Sequence, residues 1–261
     1  MAELSYAQKS ELYTNGFVKL PGAVSRDGVR AALHAINSSL GSNGIDPADR
    51  KLGAQSFCPE LRTAPEIVDL LNASTAWSIA ESAIGPGQIR PVSNAQMALR
   101  FPRSGTPQQP RPHIDGMHSP TNGVPFGVIQ HFTALVGVYL NDVDEEFAGN
   151  FTVWPGSHHR YEDYFRTHGP QTLLDGMPQV ELPEPEQVQV SAGDAVLAHY
   201  QLGHGNAENH SPNIRYAIYF RLFHQEHDRG RWDSMTDIWG EWEGMRDIVR
   251  EQEGRERLTH G

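Results

Sequence analysis

The feature that most constrains the fold is a change of pattern near residue 88, after which short extended runs alternate with turns rich in glycine, proline and asparagine. Many short strands without intervening helices favour a double-sheet jelly roll over an alternating βαβ design. We therefore predict a mainly β protein with a double-stranded β-helix core of the jelly-roll, cupin-like type. The predicted strands cover residues 96–101, 113–115, 132–141, 150–154, 188–190, 195–200 and 216–223.

Helical patterns precede this core. Residues 6–13 are helix-like and lead into an extended run at 16–22, and Ser25 is placed to cap the helix that follows. Residues 64–84 have apolar side chains near helical spacing and end at a Gly-Pro-Gly stop, which predicts a second helical stretch. We expect one domain over residues 1–261, in which residues 1–87 support a core at 88–225.

Two longer segments interrupt the predicted core, and a tail follows it. Residues 103–112 are rich in proline, and residues 158–186 form a segment with an acidic, proline-rich end that we expect to act as a lid loop. The tail at 226–261 is predicted to be helical and to dock on the barrel. Its three tryptophans are spaced as for one helix: Trp232, Trp239 and Trp242.

Charge and cysteine content narrow the classes of function. A net charge of −11 gives no broad basic face for nucleic acid or anionic membrane. No leader-like start and no membrane-length apolar run is seen, so we expect a soluble, cytoplasmic protein. Cys58 is the one cysteine, which excludes an intramolecular disulfide and a thiolate cluster within the chain. Any metal must therefore be held by His, Asp or Glu.

A His-x-Asp element at residues 113–115 is the first candidate for chemistry. In an extended segment, a period of two places His113 and Asp115 on the same face, where an imidazole and a carboxylate converge. Three residues with one free position also occur by chance, as a turn histidine beside a capping aspartate. The element becomes informative only together with residues further along the chain.

His204 and Arg215 complete a pattern suited to a mononuclear iron site. Residues 193–206 read as a strand ending in His204, and two histidines with one carboxylate leave three metal positions open. Arg215 follows eleven residues later, where a hairpin-like return brings its guanidinium near the metal, and a planar fork binds a carboxylate bidentately. The spacing alone leaves an alternative, because Arg221 lies eleven residues after His210.

With these residues in place, the chain resembles the phytanoyl-CoA dioxygenase (PhyH) family of Fe(II)/2-oxoglutarate-dependent oxygenases over most of its length. The family's Pro-Gly-Ser-His signature occurs here in the expected order, between the His-x-Asp element and the distal histidine. Besides the metal residues and the arginine, the matching segments are residues 15–22, 140–145 and 149–158.

The resemblance implies a role for each candidate residue. It selects His204 over His210 as the third ligand, because a second strand histidine, His199, stands five positions before it. His199 is then a packed residue, and none of His118, His131 and His158 is assigned to the metal. Arg215 would bind the distal carboxylate of 2-oxoglutarate. Further cosubstrate contacts are predicted at Asn206, Gln96 and Thr152, of which the last two could equally be ordinary strand residues.

The implied reaction consumes O2 and 2-oxoglutarate, releases succinate and CO2, and hydroxylates or otherwise oxidises an aliphatic C–H bond. Asp115 disfavours halogenation, because the family's halogenases lack this carboxylate. The substrate would be a small molecule, with secondary metabolites and acyl derivatives as candidates. Arg100, Arg103 and Arg111 could form a local anion site. The predicted substrate contacts, each of which could equally be packing, are His118, Phe126, Gln130 and Trp154.

Two other classes of function remain open from the sequence. A cupin-like metal-dependent lyase or isomerase would use the same two histidines and aspartate with another divalent metal, although it would not need Arg215. A non-catalytic binding module would have the same fold but would not catalyse a reaction. The sequence predicts neither the oligomeric state nor the pathway.

Overall fold

Eight strands in the described residues form two antiparallel sheets. The computed structural model describes residues 2–45, 56–119, 122–228 and 231–259. The strands are β1 (Phe17–Leu20), β2 (Gln96–Arg100), β3 (Ala134–Tyr139), β4 (Phe151–Val153), β5 (Glu186–Gln187), β6 (Ala195–His199), β7 (His204–Asn206) and β8 (Arg215–Leu222). The first sheet has the order β1-β6-β3-β8-β2 and the second the order β5-β4-β7. The prediction of two β-sheets is confirmed, and the strand pairs of both sheets are antiparallel.

Six α-helices accompany the sheets in the described part of the chain. They are α1 (Tyr6–Asn15), α2 (Arg26–Asn43), α3 (Pro65–Asn72), α4 (Thr75–Ile84), α5 (Ser157–His168) and α6 (Arg246–Thr259). Short 3₁₀ turns occur at Pro59–Leu61, Pro170–Asp175, Asp233–Met235 and Glu243–Met245. None of the described helices combines the length and the apolar character that crossing a bilayer requires.

The five-stranded sheet is buried on both faces, because alternate side chains along its strands belong to two different apolar clusters. In β8, Ile218 and Phe220 belong to the apolar cluster under the helices, while Ala217 and Tyr219 belong to a second cluster on the opposite face. Phe151 of the small sheet joins that second cluster. Each large apolar side chain buried in this way contributes about 1.5–3 kcal/mol. The interior between the two sheets is therefore where side chains of β7 and β8 meet.

The N-terminal segment follows the prediction in part. Ser25 caps α2, accepting a hydrogen bond from the Gly28 amide at 3.1 Å. The stretch at 64–84 is two helices and not one, because α3 ends at Asn72 and Ser74 caps α4. Strand β1 pairs with β6. The predicted supporting segment at 1–87 thus contributes a strand to the sheet.

Several predicted strands are shorter or displaced. Residues 113–115 and 188–190 form only isolated bridges, at His113 with His204 and at Val190 with Val143. Strand β6 ends at His199, and a turn separates it from β7, so His204 begins a strand where we expected it to end one. A strand of only two or three residues between turns is too short to show the alternation of apolar and polar residues in the sequence.

The predicted lid loop at 158–186 is largely helical, because it contains most of α5 and the turn at Pro170–Asp175. Tyr161 and Phe165 lie four residues apart on α5 and are both buried in the cluster between the sheets. That spacing is the amphipathic signal of a helix. The segment therefore packs on the core.

The tail is helical only from Arg246, and the predicted helix bearing all three tryptophans is wrong. Trp239 and Trp242 are buried in turns that contain Gly240. Gly244 lies against α4, where an added Cβ would be 2.0 Å from the Ser82 carbonyl oxygen. The tryptophans dock on the core as predicted, but through a closely packed turn and not through a helix face.

Glu241 links this tail to the sheet core. Its carboxylate accepts from His227 Nδ1 at 2.8 Å and from the Thr133 hydroxyl. Burial acts to raise the pKa of Glu241, but hydrogen bonds from His227 and Thr133 outweigh it and lower that pKa. A lowered folded-state pKa means stabilisation that is present above the unfolded pKa, about 4.3, and lost as pH falls through the folded value.

We expect Glu241→Gln to lower the free energy of unfolding by about 1–3 kcal/mol at pH 7, because it weakens buried hydrogen bonds to a charged group. The difference from wild type should narrow as the pH falls below about 4. Urea unfolding across this range measures both effects, and the substitution Glu243→Gln, at a half-buried residue of the same tail, is the control. A loss that is the same at every pH would contradict the ionic contribution.

Candidate metal centre

His113 and His204 are joined through their main chains. The His113 amide donates to the His204 carbonyl at 2.9 Å, and the His204 amide donates to the His113 carbonyl at 3.0 Å. Their imidazole centroids are 4.5 Å apart. The proline-rich segment at 103–112 packs against the same place, since a Cβ on Gly205 would be 3.2 Å from the Arg111 carbonyl oxygen. The fold thus brings these two distant histidines together.

Asp115 completes a group that could hold a metal ion. Its Oδ1 lies 3.6 Å from Nε2 of His113 and 3.7 Å from Nε2 of His204. One ligand atom from each of the three residues lies within 4.8 Å of the others. Two imidazoles and a carboxylate are the donor set of the facial triad of non-haem iron sites, which leaves ligand positions open. The residues present fit such an ion.

The hydrogen bonding of His204 supports the same fit. Its Nδ1 lies 3.0 Å from the Leu202 carbonyl oxygen, an acceptor that requires Nδ1 to carry the proton. The lone pair is then on Nε2, which is the nitrogen that faces Asp115. This is the arrangement by which an outer hydrogen bond fixes the tautomer of a metal-binding histidine.

Arg221 is a site residue that the sequence patterns did not assign. Its Nη2 donates to Asp115 Oδ2 at 2.7 Å. Burial acts to raise the pKa of Asp115, but the charge of the Arg221 guanidinium and the nearby imidazoles of His113 and His204 hold that pKa well below its usual range. Asp115 is therefore a carboxylate at neutral pH. A contact between β8 and a distant turn leaves no signature in the spacing of residues.

A cavity of about 840 Å³ opens beside this group, and His113 and Asp115 are part of its lining. Among the described residues that line it are Gln96, His118 and Gln130, all of them predicted site residues. Gln96 Oε1 accepts from Arg221 Nη1 at 3.0 Å, and His118 Nδ1 lies 2.7 Å from the Val124 carbonyl oxygen. The cavity provides space for a small molecule next to the candidate metal ligands.

Arg215 and Asn206 meet inside the molecule. Arg215 is 1% exposed, and it donates through Nη2 to Asn206 Oδ1 at 2.7 Å, through Nε to the Gly149 carbonyl and through Nη1 to the Ala98 carbonyl. The predicted hairpin-like return is wrong, because β7 and β8 belong to different sheets. The contact spans the interior between them. Asn206 lies two residues after His204, so both side chains point to the same face of β7.

Tyr219 links the cavity to Arg215. It lines the cavity, and its hydroxyl lies 3.4 Å from both the Asn206 Oδ1 and the Tyr139 hydroxyl. The Arg215 guanidinium carbon is 6.0 Å from the centroid of the Tyr219 ring. Gly137, opposite Tyr219 in the register, makes room for this ring, since a Cβ there would be 2.7 Å from it. Glycine within a strand often marks such a close approach.

The three arginines predicted to form an anion site are not equivalent. Arg100 stands opposite Arg215 in the register of β2 and β8. Burial, reinforced by the charge of Arg215, lowers the pKa of Arg100 to about 10, so it remains charged at neutral pH. Arg103 pairs with Glu208 at 2.7 Å. Arg111 contributes its backbone to the contact with Gly205. Arg100 alone of the three is shown beside Arg215.

Three residues that were predicted to contact the cosubstrate or the substrate lie away from the candidate metal ligands. Thr152 pairs with Gly205, whereas Phe151 and Val153 pair with Asn206 and His204, so the alternation of side chains turns Thr152 to the opposite face of the sheet. Trp154 is buried but is not among the described residues lining the cavity. Phe126 is 86% exposed and meets the ring of His118 edge-on.

The other histidines that were weighed have different surroundings. Burial lowers the pKa of His199 to about 4, and its Nε2 lies 2.8 Å from the Ile238 carbonyl oxygen, which suits the packed role predicted for it. His158 Nε2 lies 2.9 Å from the Tyr13 carbonyl oxygen. His210 pairs with Glu208 at 3.1 Å.

Gly116 allows the chain to turn directly after Asp115. It has φ of +90°, and an added Cβ would lie 2.5 Å from the Gln130 carbonyl oxygen. We expect Gly116→Ala to displace Asp115 and to weaken metal binding, since backbone atoms must move in addition to about 1–2 kcal/mol of left-handed strain. The control is Gly123→Ala, at φ of +70° with open space around it. Equal metal affinities of the two variants, measured by titration with Co(II), would contradict this expectation.

The family model of phytanoyl-CoA dioxygenase (PhyH) matches residues 12–217. HygX from Streptomyces hygroscopicus, with nickel and 2-oxoglutarate bound, is 17% identical with a TM-score of 0.56, covering 87% of this chain and 90% of that one. AviO1 from Streptomyces viridochromogenes Tue57 is 18% identical with a TM-score of 0.56, covering 87% and 99%.

A third structure, the non-haem α-ketoglutarate-dependent carbocyclase SnoK from nogalamycin biosynthesis, is 20% identical with a TM-score of 0.55, covering 84% of this chain and 83% of that one. Another HygX structure contains hygromycin B together with nickel and 2-oxoglutarate, at 16% identity and a TM-score of 0.53, covering 87% and 90%. No curated protein sequence matches the chain significantly. At these identities the likeness is one of fold.

Proposed function

The chain belongs to the phytanoyl-CoA dioxygenase (PhyH) family of Fe(II)/2-oxoglutarate-dependent oxygenases, and on that premise we propose that it hydroxylates, or otherwise oxidises, an aliphatic C–H bond of a small molecule. The observation that carries the proposal is the convergence of His113, Asp115 and His204 beside a cavity of about 840 Å³. The two antiparallel sheets around their shared apolar cluster also support the finer description of the fold as a double-stranded β-helix.

In this proposal, His113, Asp115 and His204 hold Fe(II). Bound iron, with 2-oxoglutarate and O2, would supply the oxidant, and the cosubstrate would be converted to succinate and CO2. The protein keeps Asp115 ionised through Arg221 and keeps the lone pair of His204 on Nε2 through Leu202. The carboxylate at position 115 supports oxygenation over halogenation, which would need that ligand position for a halide.

Arg215 is the proposed partner of the distal carboxylate of 2-oxoglutarate. Three of its five N–H donors already bond Gly149, Ala98 and Asn206, which holds the guanidinium still inside the protein. A fixed, always-charged fork in a dry interior suits a carboxylate well. Asn206 and the hydroxyl of Tyr219 lie beside it and would complete the polar surroundings.

The substrate would occupy the cavity, where His118 and Gln130 are the predicted contacts that the lining contains. HygX, of similar fold, has hygromycin B bound in one structure. We propose a small, polar, natural-product-like substrate for this chain, because the described lining contains several hydroxyl, amide and guanidinium groups. The helix α5, which makes up much of the segment predicted as a lid, packs on the core and has no described residue in that lining.

The experiment is an anaerobic titration of metal-free protein with Fe(II) and then with 2-oxoglutarate, followed by its visible charge-transfer absorption. We expect a band that appears only with both components, and succinate formation once O2 and a substrate are added. Iron binding without the band would favour the non-redox lyase or isomerase. Failure to bind iron, cobalt or nickel would favour the non-catalytic binding module.

A further inference from the structure

Arg221 contacts the one acidic residue of the candidate metal centre, and we propose that it is a positioning residue that fixes which oxygen of Asp115 is offered to the metal. The inference rests on the proposed metal-dependent function. It adds a contact that would leave the other coordination positions of the metal open. Its basis is the geometry of the carboxylate and of the guanidinium.

The two oxygens of Asp115 have different neighbours. Oδ1 faces both imidazoles, at 3.6 Å from His113 Nε2 and 3.7 Å from His204 Nε2. Oδ2 accepts from Arg221 Nη2 at 2.7 Å. A charge-assisted hydrogen bond of this length is among the strong ones. For both oxygens to bind one ion, Oδ2 would have to leave Arg221, so the contact favours a single metal–oxygen bond.

Arg221 is itself held in place. Its Nη1 donates to Gln96 Oε1 at 3.0 Å, and its guanidinium carbon lies 5.5 Å from the centroid of the Phe132 ring. It is part of β8, where it stands opposite Leu135. Two hydrogen-bond partners and an aromatic face fix the plane of the fork, which a lysine ammonium could not reproduce. Gln96, predicted as a cosubstrate contact, thus also supports this arginine.

Different effects on the metal and on the cosubstrate are expected. A fixed positive charge beside a divalent cation opposes metal binding, which offsets the loss of its hydrogen bond to Asp115, so removing Arg221 should leave the metal affinity nearly unchanged. Removing the hydrogen bond frees Asp115 to bind with both oxygens, which blocks a position that the chelating cosubstrate requires. A purely structural role would weaken both ligands together, and a role in substrate binding would change neither.

The test compares wild type with Arg221→Met and Arg221→Lys. Arg166→Met is the matched control, because Arg166 forms an arginine–carboxylate pair with Glu162 at 2.6 Å, and neither residue is among the described residues that line the cavity. Anaerobic titrations give the dissociation constants of Fe(II) and Co(II), then of 2-oxoglutarate from its absorption band with Fe(II). The d–d spectrum of bound Co(II), whose intensity depends on coordination number, reports on Asp115 without any cosubstrate.

For Arg221→Met we expect the metal dissociation constant to stay within about threefold of wild type or to tighten. That of 2-oxoglutarate should rise about tenfold or more, which is the scale on which substituting a hydrogen-bond partner of a metal ligand lowers activity. The Co(II) spectrum should change. Arg221→Lys should recover part of the cosubstrate affinity, and Arg166→Met should match wild type in all three measurements.

Two results would overturn the inference. One is an Arg221→Met protein with the metal affinity, cosubstrate affinity and Co(II) spectrum of wild type. The other is a parallel loss of metal and cosubstrate affinity in both Arg221 variants. If wild type binds Co(II) but gives no band with Fe(II) and 2-oxoglutarate, the proposed function fails instead, and the Co(II) spectra still decide the role of Arg221.

Discussion

Replacing His204 with alanine is expected to reduce 2-oxoglutarate turnover by at least about three orders of magnitude, to the background of the assay. The variant loses one of two imidazoles, and the remaining pair of His113 and Asp115 offers the metal too few protein ligands. His204 is 6% exposed and its ring lies against Phe151, so the variant also leaves a small void. Metal content after dialysis and succinate release measure the two consequences.

The matched control is His210→Ala. Residue spacing alone allowed His210 as the distal ligand, and the structure pairs it with Glu208 at 3.1 Å. We expect this variant to keep its iron and its turnover. A His210→Ala protein that loses iron while His204→Ala retains it would reverse the assignment of the third ligand. Thermal unfolding of both variants shows whether a loss reflects the site or the fold.

Arg215→Ala is expected to weaken 2-oxoglutarate binding by about 2–5 kcal/mol, or roughly 30- to 4,000-fold in dissociation constant, because it removes a buried charged partner of a carboxylate. Metal affinity should be nearly unchanged, because the structure shows Arg215 bonded to Gly149, Ala98 and Asn206. Arg215→Lys should fall between alanine and wild type, since it keeps the charge but loses the fork. The anaerobic absorption titration measures all three proteins.

Arg100→Gln is the informative control for this prediction. Arg100 stands opposite Arg215 and is charged at neutral pH, so it could share the carboxylate. If Arg100→Gln left the affinity for 2-oxoglutarate intact, the binding would belong to Arg215. Unchanged affinity in Arg215→Ala would instead remove the basis for the cosubstrate assignment.

The sequence predicted the parts of the site that depend on spacing along the chain. His113 and Asp115 are two residues apart in the chain. A short β-bridge between His113 and His204 brings the third residue to them, and the order of the motifs had suggested this proximity. Arg221 could not be found in this way, because its contact with Asp115 depends on how β8 lies beside the turn at Gly116. The position of Thr152 depends on strand register, where a shift of one residue reverses the face.

The fold, too, was predicted well where the sequence has a clear local pattern and poorly where distant contacts decide the structure. Strand β8, which has a clear period, was predicted within a few residues, and Ser25 caps α2 as predicted. The turns around Trp239 were not, because their packing depends on Gly244 lying against the Ser82 carbonyl, which local pattern does not encode. The helix α5 had a signal in the spacing of Tyr161 and Phe165, which the acidic, proline-rich end of the segment obscured.

The reciprocal hydrogen bonds between the His113 and His204 backbones bear on how the protein would acquire its metal. Bringing these two histidines together closes a long loop and costs conformational entropy. The chain loses this entropy when it folds, before any ion binds. We therefore expect metal-free protein to keep a formed pocket that captures an ion without refolding. Metal would then raise the melting temperature only as a bound ligand does, in proportion to the logarithm of its free concentration above the dissociation constant.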